Sequence, residues 1–427
     1  MKIQIETLGC KVNSVEAESI AEMFRERGHK IVKRGADVVV INTCCVTSEA
    51  ESKSRQAIRK ALKNGSQVAV MGCYSQLSPN EMHDIGVSVI VGTAERQSLV
   101  DKVESMIDQP KISLSNFEKV FNDNHEKISL ELPSDYEELP HVPSKTRAFI
   151  KIQDGCNGRC TYCIIPKVRG RSRSRSLESI KRECENLTNY KEIVLTGINL
   201  GMYGADINLN LTDAIKIVLE NSDARIRLSS VEPNEVTDEL IEMIKNEPRI
   251  CKHIHIPVQS CSDEVLEMMH RNYHAEYFKT LLEKLRSKIP SITIGTDIIV
   301  AFPGESMAMF LETVNLLEVL PLSYIHVFGY SQRPGTIAAE MTQIASQKKK
   351  VRIGRILTLA AKKNSLYRQS LIGNEADILT EVKKNDLVEG HSGEYIKVYI
   401  SDDVPLNEIV KVKLTEVYSD GMLGTII

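Results

Sequence analysis

Short apolar runs alternate with amphipathic stretches along the first hundred residues of the chain. The runs predict four strands, at residues 3–7, 38–42, 68–71 and 87–91. The stretches between them have helical periodicity, and Gly28 and Gly65 end the first two predicted helices. Because strands that alternate with helices form parallel sheets, we expect an open α/β domain over residues 1–108.

The alternation stops between residues 109 and 144. Four prolines lie there, at positions 110, 133, 140 and 143, together with an acidic run at 135–138. We interpret this segment as a linker that contains at most a strand or two.

Strand and helix patterns resume from residue 145 to residue 371. Six strands are predicted, at residues 149–152, 193–196, 226–229, 254–258, 292–300 and 324–328. Six strand–helix units predict a partial (β/α)6 barrel, closed by a helical stretch near 346–371. The loops at the carboxyl ends of its strands are where an active site is expected.

After Gly373 the pattern changes to short β-rich runs separated by turn residues, as at 376–382, 395–400, 409–418 and 422–426. We therefore expect a small β-barrel over residues 372–427. The predicted fold class is thus α/β, with an open α/β domain, a partial barrel and a C-terminal β-barrel.

Composition narrows the class of protein. The chain has 427 residues, of which 42% are hydrophobic and 26% are charged, and no apolar run reaches the length of a membrane helix. No signal-peptide pattern opens the sequence, so we expect a cytoplasmic protein. The net charge of −3 gives no general attraction to nucleic acid, and any such binding has to come from local basic stretches.

Ten cysteines in a reducing compartment indicate metal binding or catalysis rather than disulfides. Cys156, Cys160 and Cys163 have a Cys-x3-Cys-x2-Cys spacing directly after the first barrel strand. Three thiolates on one tight loop favour an iron–sulfur cluster with one open iron, which can chelate S-adenosylmethionine. Structural zinc is the alternative, but no fourth cysteine or histidine ligand lies close in sequence.

A second set consists of Cys10, Cys44 and Cys73, each of which follows a strand of the N-terminal domain. Strand ends on one side of a parallel sheet form a common crevice, so these thiols can converge on a second cluster. Scattered loop cysteines are the alternative, and Cys45 could compete with Cys44. The roles of Cys45, Cys184, Cys251 and Cys261 are open, and burial as small apolar side chains is the favoured interpretation.

The Cys-x3-Cys-x2-Cys loop resembles that of the radical S-adenosylmethionine superfamily. Both cysteine sets together, with the C-terminal β-domain, resemble the methylthiotransferases. Three motifs resemble the branch that acts on N6-threonylcarbamoyladenosine in tRNA: Leu-Gly-Cys-Lys-Val-Asn at 8–13, Asn-Thr-Cys-Cys-Val-Thr at 42–47, and Ser-Ser-Val-Glu-Pro at 229–233. Sister branches that modify isopentenyladenosine in tRNA or an aspartate of a ribosomal protein share the architecture and stay as alternatives.

The resemblance implies a mechanism and its cofactors. It implies two 4Fe-4S clusters and S-adenosylmethionine, with one molecule methylating a sulfur at the N-terminal cluster and another supplying a radical that acts at C2 of the adenine at position 37. The implied partners are the tRNA anticodon stem-loop and an electron donor of unknown identity, with no membrane. A non-catalytic iron–sulfur protein that binds RNA or senses redox state is the alternative from another functional class.

Two further groups of residues are candidates for binding. Contacts to S-adenosylmethionine are expected from residues at barrel strand ends and beside the cysteine loop, namely Tyr162, Gly197, Asn199, Ser230 and Glu232. Phosphates of the anticodon loop are expected to contact the basic stretch after the cysteine loop, namely Lys167, Arg169, Arg171, Arg173 and Arg175. The C-terminal domain is acidic, so RNA binding there would need a local patch around Lys383, Lys384 and Lys397.

Overall fold

A computed structural model describes residues 1–107 and 132–427. The N-terminal part is one parallel sheet in the order β2-β1-β3-β4-β5. Its strands are β1 Lys2–Thr7, β2 Lys30–Ile31, β3 Val38–Thr43, β4 Gln67–Gly72 and β5 Val89–Ile90. All six residues of β3 are buried, as expected for a central strand covered on both faces. The short edge strand β2 was not predicted, because two residues carry no periodic pattern.

Helices cover both faces of this sheet. They are Lys11–Glu26, Ser48–Lys63, Cys73–Leu77, Pro79–Ile85 and Ser98–Ile107. One hydrophobic cluster contains Phe24 and Val103, and another contains Ile58 and Met82, so alternate residues of the strands supply two separate cores. The predicted open α/β fold is confirmed.

The central part is an arc of six parallel strands. They are β6 Ala148–Lys151, β9 Glu192–Thr196, β10 Arg225–Leu228, β11 His253–His255, β12 Thr293–Val300 and β13 Tyr324–Gly329. β9 lies between β6 and β10, and β12 lies between β11 and β13. A parallel bridge between Ile226 and Ile250 joins the two groups, which confirms the predicted partial (β/α)6 barrel.

Helices pack on the outside of the arc. They are Leu177–Glu185, Leu211–Asn221, Asp238–Asn246, Asp263–Met268, Ala275–Lys288, Met307–Val319 and Ser346–Ser370, with 3-10 turns at Leu200–Met202 and Pro233–Glu235. The short helix Ile165–Arg169 packs on the N-terminal domain instead, because Val168 belongs to the cluster of Ile58 and Met82. The short helix Ile337–Glu340 lies beside the cysteine loop, where the N–H of Ala338 donates to the carbonyl oxygen of Thr161. Ile254 and Ile298 belong to the core beneath these helices. Since neighbouring residues of a strand face opposite sides, His255 and Asp297 face the inner side of the arc, which we call the barrel lumen. A short hairpin, β7 Gln153–Asp154 with β8 Arg173–Ser174, flanks the first strand.

The C-terminal part is a closed five-stranded barrel in the order β14-β15-β16-β18-β17. Its strands are β14 Glu375–Lys384, β15 Leu387–Ser392, β16 Lys397–Ile400, β17 Ile409–Tyr418 and β18 Gly421–Ile426. Arg227 in β10 donates to the carbonyl oxygen of Ser392 at 2.8 Å, and the Tyr395 ring lies 4.8 Å from that of His253. The small barrel therefore packs against the amino-terminal end of the large one, opposite the cysteine loop.

Most of the predicted linker, from 109 to 131, lies outside the described residues, and its described part, 132–144, contains no strand. Residues 132–144 contact both the N-terminal domain and the partial barrel. Glu137 pairs with Arg96 of the N-terminal domain, whereas Glu138 pairs with Arg175 of the barrel region. The bounds of the four predicted segments stay predictions. Within the described residues no helix is both long and apolar enough to span a bilayer.

Candidate functional site

The loop that carries Cys156, Cys160 and Cys163 depends on a glycine at its start. Gly155 has a φ of +73°, and a β-carbon there would lie 1.9 Å from the carbonyl oxygen of Arg171. The N–H of Cys156 donates to the carbonyl oxygen of Gly170 at 3.0 Å. Any other residue at position 155 would force the loop away from the following segment.

The three thiols of this loop lie near one another but are too far apart to bind one metal ion together. A β-carbon at Gly158 would lie 3.2 Å from the Cys156 sulfur and 3.7 Å from the Cys160 sulfur. Thiolates on a single zinc ion are about 3.8 Å apart. In the described ranges, however, no three cysteines bring their sulfurs within 4.8 Å of one another. Wider spacing suits a cubane, in which each thiolate binds a different iron.

Burial around the loop disfavours free thiolates. Burial raises the pKa of Cys163 to about 12, and burial likewise raises the pKa of Cys156. The guanidinium of Arg271 donates to the Cys160 sulfur at 3.1 Å and forms an ion pair with Glu232. Without a metal the thiols of Cys156 and Cys163 are protonated at neutral pH, so cluster binding has to displace their protons.

Asn199 is the predicted cofactor residue with the most informative surroundings. Its Nδ2 donates to Glu235 at 2.9 Å and lies 3.9 Å from the Cys156 sulfur. Its Oδ1 is buried and has no hydrogen-bond partner among the described residues. Burial raises the pKa of Glu235 to about 7. Sequence reasoning missed Glu235, which lies three residues after Glu232 in an unremarkable turn.

The other four predicted cofactor residues lie on the same side of the barrel. Gly197 approaches Gln153 so closely that a β-carbon would lie 2.8 Å from its Oε1. Tyr162 packs edge-to-face on Phe302 at 6.4 Å between ring centres, and Ser230 is exposed. Glu232 is held by Arg271. Their contacts with S-adenosylmethionine stay predictions.

Cys10, Cys44 and Cys73 lie at the carboxyl ends of β1, β3 and β4, as the sequence predicted. A β-carbon at Gly9 would lie 2.9 Å from the Cys44 sulfur, so Cys44 packs against the chain that leads into Cys10. Cys10 has solvent-exposed surface, yet protein surrounds it closely enough that burial raises the pKa of its thiol.

Cys73 differs from Cys10 and Cys44 because the pKa of its thiol is lowered rather than raised. A hydrogen bond from the Cys45 thiol, and then the guanidinium of Arg169, lower the pKa of Cys73 to about 6. Cys45 is fully buried, and its own pKa is raised by the same hydrogen bond. Cys45 thus contacts Cys73 rather than replacing Cys44. Cys184, Cys251 and Cys261 are buried apart from both sets.

The basic stretch predicted to contact RNA divides into two groups. Lys167 and Arg171 are exposed. Arg169, Arg173 and Arg175 are buried, and each lies beside a carboxylate: Arg169 with Glu16 and Asp154, Arg173 with Asp154, and Arg175 with Glu183. We therefore correct the prediction: these three guanidiniums are held in ion pairs inside the protein, and of the five residues Lys167 and Arg171 are the exposed ones.

Two acidic residues that sequence reasoning missed hold the two cysteine sets together. Glu16, on the buried face of the first helix, accepts from Arg169 at 2.8 Å and pairs with Lys151 at 3.2 Å. Asp154, two residues before Cys156, accepts from Arg169 at 2.9 Å. No pattern in the sequence marks Glu16, since neighbouring residues of a helix face different directions.

The barrel lumen carries a polar cluster on three adjacent strands. His255 Nε2 and His326 Nδ1 lie 2.9 and 3.2 Å from the same Oδ1 of Asp297. The Tyr324 hydroxyl lies between His253 and His255, at 2.9 and 3.0 Å. Hydrogen bonds therefore hold both strand histidines, His253 and His255, in place.

Comparison with known proteins adds independent information. The model of the radical SAM superfamily matches residues 150–317, and that of the uncharacterized protein family UPF0004 matches residues 2–92. A threonylcarbamoyladenosine tRNA methylthiotransferase MtaB from Bacillus subtilis is 37% identical over 100% of this chain and 97% of its own length. A tRNA-2-methylthio-N(6)-dimethylallyladenosine synthase from Thermoanaerobacter pseudethanolicus is 33% identical over 99% and 92%.

Solved structures agree on the fold. The radical S-adenosylmethionine methyltransferase TsrM from Kitasatospora setae superposes with a TM-score of 0.55 at 12% identity, over 79% of this chain and 77% of that one. Similarity to the full-length relatives confirms the predicted enzyme class and the predicted cofactors, two 4Fe-4S clusters and S-adenosylmethionine. From its two cysteine sets and its similarity along the whole chain, this protein belongs to the radical S-adenosylmethionine methylthiotransferases.

Proposed function

We propose that the protein converts N6-threonylcarbamoyladenosine, at position 37 of tRNA, to its 2-methylthio derivative. Relatives from Bacillus subtilis and Thermotoga maritima, 37% and 38% identical, are named as methylthiotransferases for threonylcarbamoyladenosine in tRNA. The observation that carries the proposal is the convergence of Cys10, Cys44 and Cys73 beside a separate radical-type cysteine loop. A simple radical enzyme needs only the second of these sets.

The two cysteine sets have distinct tasks in this proposal. Cys156, Cys160 and Cys163 would hold one four-iron cluster, and Cys10, Cys44 and Cys73 the other. When bound, the cluster at Cys156, Cys160 and Cys163 would supply a radical together with S-adenosylmethionine. The cluster at Cys10, Cys44 and Cys73 would present the sulfur that is transferred. The C2–H bond of adenine is not acidic, so no side-chain base of the protein can replace this chemistry.

The residues around the cysteine loop orient and shield the cofactors. Arg271 fixes both the Cys160 sulfur and the Glu232 carboxylate. Asn199 presents its unpaired, buried Oδ1 beside Cys156, where it can accept from the amino group of bound S-adenosylmethionine. These contacts would hold the reacting groups in place.

For RNA we propose an approach over the exposed residues Lys167 and Arg171. Both follow the cysteine loop, so phosphates of the anticodon stem-loop that bind there would leave the loop bases near the clusters. The C-terminal lysines are weaker candidates, since Lys383, Lys384 and Lys397 pair with the acidic side chains of Asp403 and Glu389. The electron donor stays unidentified.

The test is methylthiolation of defined RNA by anaerobically reconstituted protein. Two anticodon stem-loops are used, one with N6-threonylcarbamoyladenosine and one with isopentenyladenosine, and the nucleosides are analysed by mass spectrometry. We expect the 2-methylthio product from the first RNA only. Product from the second RNA alone would assign the protein to the sister branch.

A control separates the enzyme from a non-catalytic iron–sulfur protein. The Cys156→Ala variant should cleave no S-adenosylmethionine and form no product, while the wild type forms 5′-deoxyadenosine. Wild-type protein with intact clusters and no cleavage would contradict the proposal and favour a redox sensor.

A further inference from the structure

Lys11 is the charged residue that the proposed reaction leaves unexplained. It follows Cys10 directly and begins the helix Lys11–Glu26, whose first turn has no acidic residue. No hydrogen bond or ion pair joins its ammonium to any residue in the part of the chain that the structure describes. The side chain is nevertheless only partly exposed. A partly buried ammonium without a partner is costly, and it is a feature that a bound anion would relieve.

The surroundings of Lys11 belong to the barrel lumen. The charges acting on it are those of Arg147, Arg227, Cys10 and Asp297, and burial is the main cause that lowers its pKa. Lys11 in turn acts on the pKa of His253, together with His255 and His326. Lys11 thus follows Cys10 directly in the chain and is close enough to the polar cluster on strands β11 to β13 for their charges to interact.

The carboxylates of this region are already committed to other partners. Asp297 is held by His255 and His326. Glu192 is held by Arg225 at 2.6 Å and by Arg227 at 2.7 Å. Both carboxylates are thus held by other side chains, and neither forms an ion pair with the Lys11 ammonium in the described residues.

The polar cluster in the lumen also contains aromatic rings on which an RNA base can stack. The ring of His326 lies 5.2 Å from that of His255 and 5.1 Å from that of Tyr324. The His326 side chain is 57% exposed, so its ring is accessible at the open side of the cluster. Unpaired bases of RNA bind to such rings by stacking.

We infer that the lumen beside Cys10 is the subsite for the modified adenosine, and that Lys11 binds a carboxylate carried by its N6 substituent. The inference rests on the proposed function. The threonylcarbamoyl group ends in a carboxylate, whereas the dimethylallyl group is apolar. A carboxylate would form a charge-assisted hydrogen bond with Lys11. An apolar group would leave the ammonium unpaired, so Lys11 selects the acidic substrate.

The experiment compares two anticodon stem-loops that differ in one group. One carries N6-threonylcarbamoyladenosine, and the other carries the same nucleoside with its carboxylate converted to a carboxamide. We expect wild-type enzyme to prefer the acid at least about tenfold in kcat/KM. In Lys11→Met the preference should disappear, and most of the loss should appear in KM.

Matched variants test whether something other than the lost positive charge at position 11 explains the result. Lys11→Arg keeps the charge and should keep the preference, and Lys33→Met removes an exposed lysine from the same domain and should do likewise. Iron content of every variant is measured, because Lys11 is next to Cys10. Lys11→Gln, which keeps a polar side chain, is run in parallel so that a folding defect of the Met variant does not decide the result.

Two outcomes would refute different statements. A Lys11 variant with full iron that still prefers the acid as strongly as wild type would overturn the inference. Wild-type enzyme that methylthiolates neither RNA would overturn the proposed function itself.

Discussion

Arg169 donates its Nε–H to the sulfur of Cys73 at 3.1 Å. The side chain is fully buried, and its other nitrogens reach Glu16, Asp154 and Asn13. Arg169 belongs to the segment after the radical-type cysteine loop, whereas Cys73 belongs to the N-terminal domain. One guanidinium therefore fixes a sulfur of one set against the segment that carries the other.

Replacing Arg169 should disturb the N-terminal cysteine set first. In Arg169→Met the pKa of Cys73 should rise, because a hydrogen bond and a positive charge are lost. Glu16 and Asp154 would also lose a buried partner, at a cost of about 3–5 kcal/mol in the free energy of unfolding. We expect iron content to fall toward that of one cluster, with a changed electron paramagnetic resonance signal for the remainder.

Arg169→Lys is the matched control. It keeps the charge but offers one compact ammonium instead of a planar fork, so it should retain more iron than Arg169→Met and less than wild type. Full iron with an unchanged signal in both variants would contradict a role for Arg169 in holding the N-terminal set.

The cysteines and the basic stretch show what could be predicted from this sequence. Strand ends of a parallel sheet share one edge, so Cys10, Cys44 and Cys73 could be placed from local pattern alone. Arg169 could not, because an alternating Arg-Ser run is typical of a solvated surface. Its partners Glu16 and Asp154 become neighbours only when the N-terminal domain packs on the barrel, and no local pattern encodes that packing.

Iron content should separate the two cysteine sets. Wild-type protein reconstituted without oxygen should hold about eight iron atoms, four for each cluster. The variant with Cys10, Cys44 and Cys73 all changed to Ala should hold about four and still cleave S-adenosylmethionine. Cys184→Ala is the control, since Cys184 is buried in the barrel core and should leave the iron unchanged. Eight iron atoms in the triple variant would disprove the second site.

Asn199→Ala should weaken binding of S-adenosylmethionine. The buried Oδ1 of Asn199 lacks a protein partner beside Cys156, which fits an acceptor reserved for a ligand. Losing one such hydrogen bond costs about 1–2 kcal/mol, so the Kd should rise roughly tenfold. Equilibrium binding to the reconstituted protein measures this, with the surface variant Asn186→Ala as control. An unchanged Kd would mean that Asn199 does not bind the cofactor and serves only to hold Glu235 in place.

His141 should make stability depend on pH. Its imidazole lies between Glu18 at 3.1 Å and Glu183 at 2.7 Å, and so joins the first helix to the barrel region. Burial opposes its charge, but the two carboxylates outweigh burial and raise the pKa of His141 to about 9. A raised pKa means that this stabilisation is complete below the unfolded value of about 6.5 and is lost as the pH rises through about 9.

The comparison is between wild type and His141→Gln across that range. At about pH 6 the variant should be less stable by on the order of 2–3 kcal/mol, and the difference should shrink steadily as the pH approaches 10, because residue 141 loses a proton in the wild type and has none to lose in the variant. Thermal unfolding of reconstituted protein measures it, with His274→Gln as control, since the His274 side chain is 81% exposed. A difference that stays constant from pH 6 to pH 10 would mean that His141 contributes by packing and not by charge.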